Sequence, residues 1–200
     1  MKKLAVLISN AGTGSNLQAI IDEIKNKKIK AEISIVISSS PDAYGLERAK
    51  KNNIPTLVVN KNDDLEKILK NYQIDFVILA GWKLIIPQSF VNTYQNKILN
   101  IHPGLIPDKM NGVVKNPDGT DGLWNRGKLT NVAIQNFLNN KATYGGSTVH
   151  FLSNEFDFGR VLSRCFEKIL PDDTVDSLYT RLKKKENQIY VKSLINLCNQ

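Results

Sequence analysis

The sequence predicts an α/β fold, a doubly wound and mostly parallel sheet with helices on both faces. Three observations carry that expectation. Short runs dominated by apolar residues recur at residues 4–8, 33–37, 56–59, 76–79 and 98–101, and the first, Leu4 to Ile8, is continuous, as in a strand covered on both faces. Stripes at helical spacing lie between them, beginning with Leu17, Ile20, Ile21 and Ile24,. The regular strand-helix alternation implies right-handed crossovers and a parallel sheet. With 200 residues and 42% hydrophobic content, the chain has enough material for one buried core, so a single domain over residues 1–200 is expected.

The elements follow in order. Residues 4–8 form the first strand and the Leu17 stripe the first helix. Residues 33–37 are a second strand, 46–51 a helix and 56–59 a third strand. Leu65, Ile68, Leu69 and Tyr72 stripe the next helix, and 76–79 and 98–101 supply the fourth and fifth strands. The character then changes. Residues 103–129 are rich in Gly, Pro, Asn and Asp and hold no sustained period, which predicts a long loop over about 103–130, a lid or binding insertion rather than filler. A short helix near 132–138, strands at 147–152 and 161–166, and a final helix capped by Thr174 complete the expectation,.

Composition excludes several classes. The longest apolar runs fall far short of the roughly 20 residues a membrane-spanning helix needs, and the N-terminus lacks the pattern of a secretory signal. A cytoplasmic protein without membrane contact is expected. Cys165 and Cys198 are the two cysteines and have no CxxC spacing, so buried thiols rather than a disulfide or zinc site are expected. Residues 116–122 hint at a calcium loop, but the closing glutamate is replaced by Gly127,. No metal is expected. The formal charge of +8 draws anions without choosing among nucleotide phosphates, folate carboxylates and nucleic acid.

Between the first strand and helix runs Ser9-Asn10-Ala11-Gly12-Thr13-Gly14-Ser15-Asn16. Its glycines allow close backbone approach, Ser15 and Gln18 have capping-box spacing, and the helix N–H groups would hold an anion. No lysine follows Gly14, which argues against a P-loop. Leu17 stands where a dinucleotide fingerprint needs its third glycine, and the second strand ends in Ser38-Ser39-Ser40 where an acidic residue should hold a ribose,. A phosphate monoester fits best; a tight turn without ligand is the plainer alternative.

Asn100 and His102 close the fifth strand on one side of it, at the edge where open α/β sheets bind ligands. Asp157 lies in the turn of residues 154–159. An amide that donates to an oxyanion, an imidazole that moves a proton and a carboxylate that steadies the imidazolium suit acyl transfer between nitrogens by direct attack. The nearby carboxylate is expected to outweigh burial and raise the pKa of His102. His150, mid-strand, is weighed equally as a structural residue.

These segments, Val6 to Ser9 with Gly14 to Ile20, Ala43 to Ala49, Leu79 to Trp82, Asn100 to Pro103, and Ser147 to Phe151 with Asp157, together resemble the glycinamide ribonucleotide formyltransferase family. The resemblance implies a Rossmann-like formyltransferase fold, 10-formyltetrahydrofolate as co-substrate and formyl donor, and the amine of glycinamide ribonucleotide as acceptor in purine synthesis. By position it makes Asn100, His102 and Asp157 catalytic. It gives Gly14, Ser15, Asn16 and Lys183 to the acceptor's phosphate and Glu186 to its ribose. Trp82, Lys83, Leu84, Ile85, Val91 and His150 fall to folate. Lys183 and Glu186 share a helical face, though a solvated charged face is the alternative. The sequence departs from the family in a longer phosphate loop, in Leu84 where an arginine is usual, and in an enlarged segment over 108–141. A monomer or homodimer acting on small molecules, without nucleic acid, is implied.

Other amines, such as an aminosugar nucleotide or methionyl-tRNA, remain open as acceptors, as does hydrolysis of 10-formyltetrahydrofolate. A regulatory phosphate-binding module is the non-enzyme alternative. It would have no need of Asn100, His102 and Asp157 together.

Overall fold

The computed structural model describes residues 1–10, 12–61 and 63–200. Ala11 of the expected phosphate loop therefore lies outside the described residues. The chain forms two compact units, Met1–Asn100 with Leu194–Gln200, and Ile101–Ser193.

The first unit is built on strands β1 (Lys2–Ile8), β2 (Ala31–Ser38), β3 (Thr56–Val58), β4 (Phe76–Leu79) and the start of β5 (Ile98–His102). All pair in parallel, in the order β3-β2-β1-β4-β5. Helices α1 (Ser15–Lys25), α2 (Tyr44–Lys51), α3 (Leu65–Lys70) and α4 (Gln88–Thr93) make the connections. Strand order reverses at β1. Right-handed crossovers running in opposite directions from that point put α1 and α2 on one face and α3 and α4 on the other. This is the doubly wound class that the sequence predicts. The apolar runs are strands because both faces are covered: Leu4, Ala5, Val6 and Leu7 of β1 and Leu17 and Ile20 of α1 are fully buried.

α4 has no counterpart in the sequence expectation. It spans 6 residues, less than two full turns, so no apolar period can declare it. The capping box expected at α1 is also absent. Gly14, in the left-handed conformation at φ 69°, is the N-cap and supplies no side chain. The Gln18 amide instead donates to Asp22 and accepts from Arg48.

The second unit holds α5 (Thr130–Asn139), β6 (Tyr144–Phe151), β7 (Val161–Lys168) and most of α6 (Val175–Cys198). β6 and β7 pair antiparallel. Thr174 does cap α6, its hydroxyl accepting from Ser177 N at 3.2 Å while Ser177 Oγ accepts from Thr174 N at 3.0 Å. Ile134, Phe137, Cys165, Leu178 and Leu182 form the core.

Residues 103–129 hold no helix or strand, and one isolated bridge, Lys115 to Asp121, closes a turn. The segment is nonetheless anchored. Leu105 and Ile106 are buried, and Thr148 Oγ1 donates to Gly104 O and accepts from Ile106 N. Asn125 is buried and donates to Pro103 O and Ala133 O. Both thiols are buried, as expected, and burial pushes Cys165 up to about 12 and Cys198 up to about 11. Among the described residues no helix is long and apolar enough to cross a membrane.

Phe137, fully buried in the second unit's core, should be among its most sensitive positions. Phe137→Ala is expected to destabilise the chain by about 3–5 kcal/mol, read as a lower urea midpoint.

Candidate active site

Parallel strands end together, so the first unit gathers its loops at one edge. The strand order reverses between β1 and β4, the topological switch point where such sheets bind ligands,. The loops that follow these two strands meet there. Lys83 N donates to Ser9 Oγ at 3.0 Å and Lys83 Nζ to Asn10 Oδ1 at 3.1 Å. The loop after β1 and the loop that holds the expected folate residue Lys83 are thus tied together at this edge.

Within that loop, Gly14 makes a close approach that a side chain would disturb: an added Cβ would lie 3.0 Å from Gly45 Cα. Arg48 fixes the turn by donating to Thr13 O at 2.8 Å. Among the described residues no side chain caps α1,. Asn16 is buried, and its Oδ1 has no hydrogen-bond partner among the described residues. Trp82 is half-buried with its indole nitrogen similarly unpartnered, Leu84 is half-buried, Val91 is buried and Ile85 is 85% exposed. Asn100 lies on β5 opposite Leu79 of β4, at the same carboxyl edge.

The second unit brings His102 and Asp157 together. His102 is 2% exposed, and its Nδ1 lies 3.6 Å from Asp157 Oδ1. Its Nε2 is 2.8 Å from the carbonyl oxygen of Trp124. A carbonyl only accepts, so Nε2 carries the hydrogen and Nδ1, facing the carboxylate, is the basic nitrogen. Asn100 stands two residues before His102 on the same strand, so both side chains leave one face of β5,.

The expected balance at His102 is reversed. Burial is the largest influence and lowers its pKa, outweighing Asp157, the Trp124 carbonyl and Glu186, which all raise it. The sequence could place a carboxylate nearby but could not reveal how completely the ring is enclosed. The consequence is an imidazole that is neutral near pH 7,.

His150 is fully buried on β6, its Nδ1 3.0 Å from Phe151 O. Burial, then His102, pushes it down to about 3. On α6, Glu186 is buried; it accepts from Ser147 Oγ at 2.7 Å and from Lys183 Nζ at 3.1 Å. Burial would lower the pKa of Lys183, but Glu186 and Tyr179 together raise it, so its charge is held. Lys183 and Glu186 are therefore an ion pair rather than a solvated face.

Sequence reasoning missed Trp124, Arg126 and Gly127. They lie in the aperiodic segment and nevertheless hold the turn that carries Asp157: Trp124 Nε1 donates to Asp157 O at 2.9 Å, Arg126 Nε to Phe156 O at 2.9 Å and Gly127 N to Asp157 Oδ2 at 2.7 Å. A lone tryptophan amid Gly, Asn and Asp was the available signal.

The first unit is an open parallel sheet and the second pairs an imidazole with a carboxylate; comparison with known proteins gives the class. Residues 2–194 match the formyl transferase family. A phosphoribosylglycinamide formyltransferase of Haemophilus influenzae is 36% identical, over 95% of this chain and 84% of that protein. The chloroplastic phosphoribosylglycinamide formyltransferase of Arabidopsis thaliana is 32% identical over all of this chain, which spans only 66% of that relative's length. The crystal structure of glycinamide ribonucleotide transformylase 1 from Symbiobacterium toebii matches with a TM-score of 0.83 and 30% identity, over 100% of this chain and 88% of that one. The chain belongs to the formyl transferase family, among the phosphoribosylglycinamide formyltransferases.

The buried histidines make stability depend on pH. For His150 the folded value, about 3, lies below its ordinary 6.5. Between these values the unfolded chain binds more protons, so stability rises with pH there and is lost as pH falls from 6.5,. Urea unfolding should show a loss of about 3 kcal/mol from this residue between neutral pH and about pH 4. His150→Asn should flatten that slope, and a slope unchanged by the substitution would contradict the assignment.

Proposed function

We propose that this chain transfers the formyl group of 10-formyltetrahydrofolate to the primary amine of phosphoribosylglycinamide, in the cytoplasm and within de novo purine synthesis. The observation that carries the reading is the buried His102, with its basic nitrogen 3.6 Å from Asp157, in a chain of this family.

In this reading the amine attacks the formyl carbon directly. The carboxamide of Asn100 donates to the oxygen of the tetrahedral intermediate, where charge develops. His102, neutral because it is buried, accepts the proton the attacking nitrogen must lose and returns it to the departing folate nitrogen,. Asp157 stabilises the imidazolium formed between those steps. No nucleophilic side chain is needed.

Gly14, Ser15 and Asn16 at the start of α1 are assigned to the acceptor's phosphate, supported by the helix end that no side chain caps,. Lys183 adds positive charge for the same group, and Glu186 is assigned to the ribose hydroxyls. Trp82, Lys83, Leu84, Ile85 and Val91 are assigned to the folate, for which the exposed Ile85 and the free indole N–H of Trp82 offer apolar and polar contacts. His150, enclosed in β6, is read as a support for His102 rather than a ligand contact. The two units are read as one formyltransferase domain acting on small molecules as a monomer or homodimer, with residues 103–129 as an insertion that builds the site.

The deciding assay offers 10-formyltetrahydrofolate with phosphoribosylglycinamide, an aminosugar nucleotide, methionyl-tRNA or no amine, and follows folate release together with formylated product. Product with phosphoribosylglycinamide alone is expected. Folate release without any amine would make the chain a hydrolase, and product with another amine would move the acceptor.

Asn100→Ala should lower kcat by roughly a hundredfold or more, the loss typical of one oxyanion donor. Ser15→Asp should raise the KM for the phosphorylated acceptor tenfold or more by repulsion, while the KM for folate changes little.

A further inference from the structure

We propose that Trp124 is a positioning residue for the proton-handling pair, joining His102 and Asp157 through opposite ends of one side chain and its peptide. This rests on the assignment of His102 and Asp157 above and gives the aperiodic insertion a role that the reading leaves undefined. The carbonyl of Trp124 accepts from His102 Nε2 at 2.8 Å, and its indole Nε1 donates to Asp157 O at 2.9 Å. One residue therefore sets both the tautomer of the imidazole and the place of the carboxylate that faces it.

The neighbouring contacts converge on the same end. Asp157 takes a left-handed conformation, φ 47°, which aspartate tolerates better than most residues with a side chain. The 124–127 segment contacts this turn at several points. Gly127 N donates to Asp157 Oδ2 at 2.7 Å, and Arg126 holds the preceding carbonyl, Phe156 O, at 2.9 Å. The Trp124 ring lies between Phe158, centroids 5.7 Å apart, and the Arg126 guanidinium at 5.1 Å. Gly127, at φ 76°, supplies its N–H from a conformation that favours glycine,.

Gly104 makes the approach of the carbonyl possible. A Cβ there would collide with the Trp124 carbonyl oxygen, and would lie 2.6 Å from the carbonyl carbon and 2.9 Å from His102 Nε2. The hydrogen bond that sets the tautomer thus needs a residue without a side chain two positions after the histidine. A tryptophan serving packing alone would need neither Gly104 nor the two polar contacts.

The charged and titratable groups that act on His102 are Asp157, Glu186 and His150. Of these, only Asp157 is held by Trp124. Trp124→Phe retains the ring packing and removes the indole N–H, so it should loosen Asp157 and leave the other two in place.

The test uses the full chain and reads the His102 ring by NMR titration, which requires no turnover, alongside kcat and KM. Trp124→Phe is expected to lower kcat by roughly tenfold to a hundredfold with KM little changed, as small misplacements of reacting groups do. The His102 midpoint should fall, because Asp157 is the strongest influence raising it. Gly104→Ala should displace the Trp124 carbonyl and move proton density from Nε2 toward Nδ1. Phe158→Leu, which removes only the ring contact, should lower Tm without moving the titration. A Trp124→Phe protein that folds with kcat and midpoint unchanged overturns the proposal. If Trp124→Phe does not fold, the wild-type indole N–H resonance decides: it should shift with the His102 midpoint, and a resonance flat across that range overturns it. If the wild-type chain forms no formylated product, the functional reading fails, while the titration still judges the positioning.

Discussion

His102 is constrained through both of its ring nitrogens. Nε2 must carry hydrogen because it meets a carbonyl at 2.8 Å, and Nδ1 then faces a carboxylate at 3.6 Å with its lone pair. In water that arrangement would draw a proton at once. Here the ring is 2% exposed, and burial outweighs the carboxylate, so the imidazole rests neutral,. A base that is neutral at rest, yet whose charged form is met by a fixed opposite charge, suits a reaction in which an amine must lose a proton as it attacks.

The fold supplies what the chemistry requires on either side of that residue. In the first unit, strand order reverses between β1 and β4, and close backbone approach at Gly14 and the side chain of Arg48 shape the loop that follows β1. In the second unit, Glu186 is buried on α6, paired with the partly exposed Lys183 and held from β6 by Ser147.

Much of this was legible in the sequence, for a physical reason. Strands buried on both faces are written as uninterrupted apolar runs, so β1 and β4 and their order of appearance were open to reading,. Asn100 and His102 were legible because strand alternation fixes their common side. Other features depend on contacts that no local pattern encodes. β6 begins earlier than its apolar run because Gly145 and Gly146, which resemble a turn, are strand residues. A Cβ on Gly146 would meet Leu105 Cδ2 at 2.5 Å and Cys165 O at 2.8 Å, so glycine is there for close packing. The Ser15 and Gln18 spacing suggested a cap, but the backbone of Gly14 had already taken that position. Trp124 was hidden because its partners, His102 and Asp157, are 22 and 33 residues away. The sign of the His102 shift was hidden for the same reason, since enclosure is a property of the assembled unit.

The most direct measurement of the central claim is the nitrogen-15 spectrum of the His102 ring in the resting protein near neutral pH. The account predicts a neutral ring with hydrogen on Nε2 and a bare Nδ1, protonating only below the ordinary imidazole range. A ring with hydrogen on Nδ1, or one already doubly protonated at neutral pH, would contradict it.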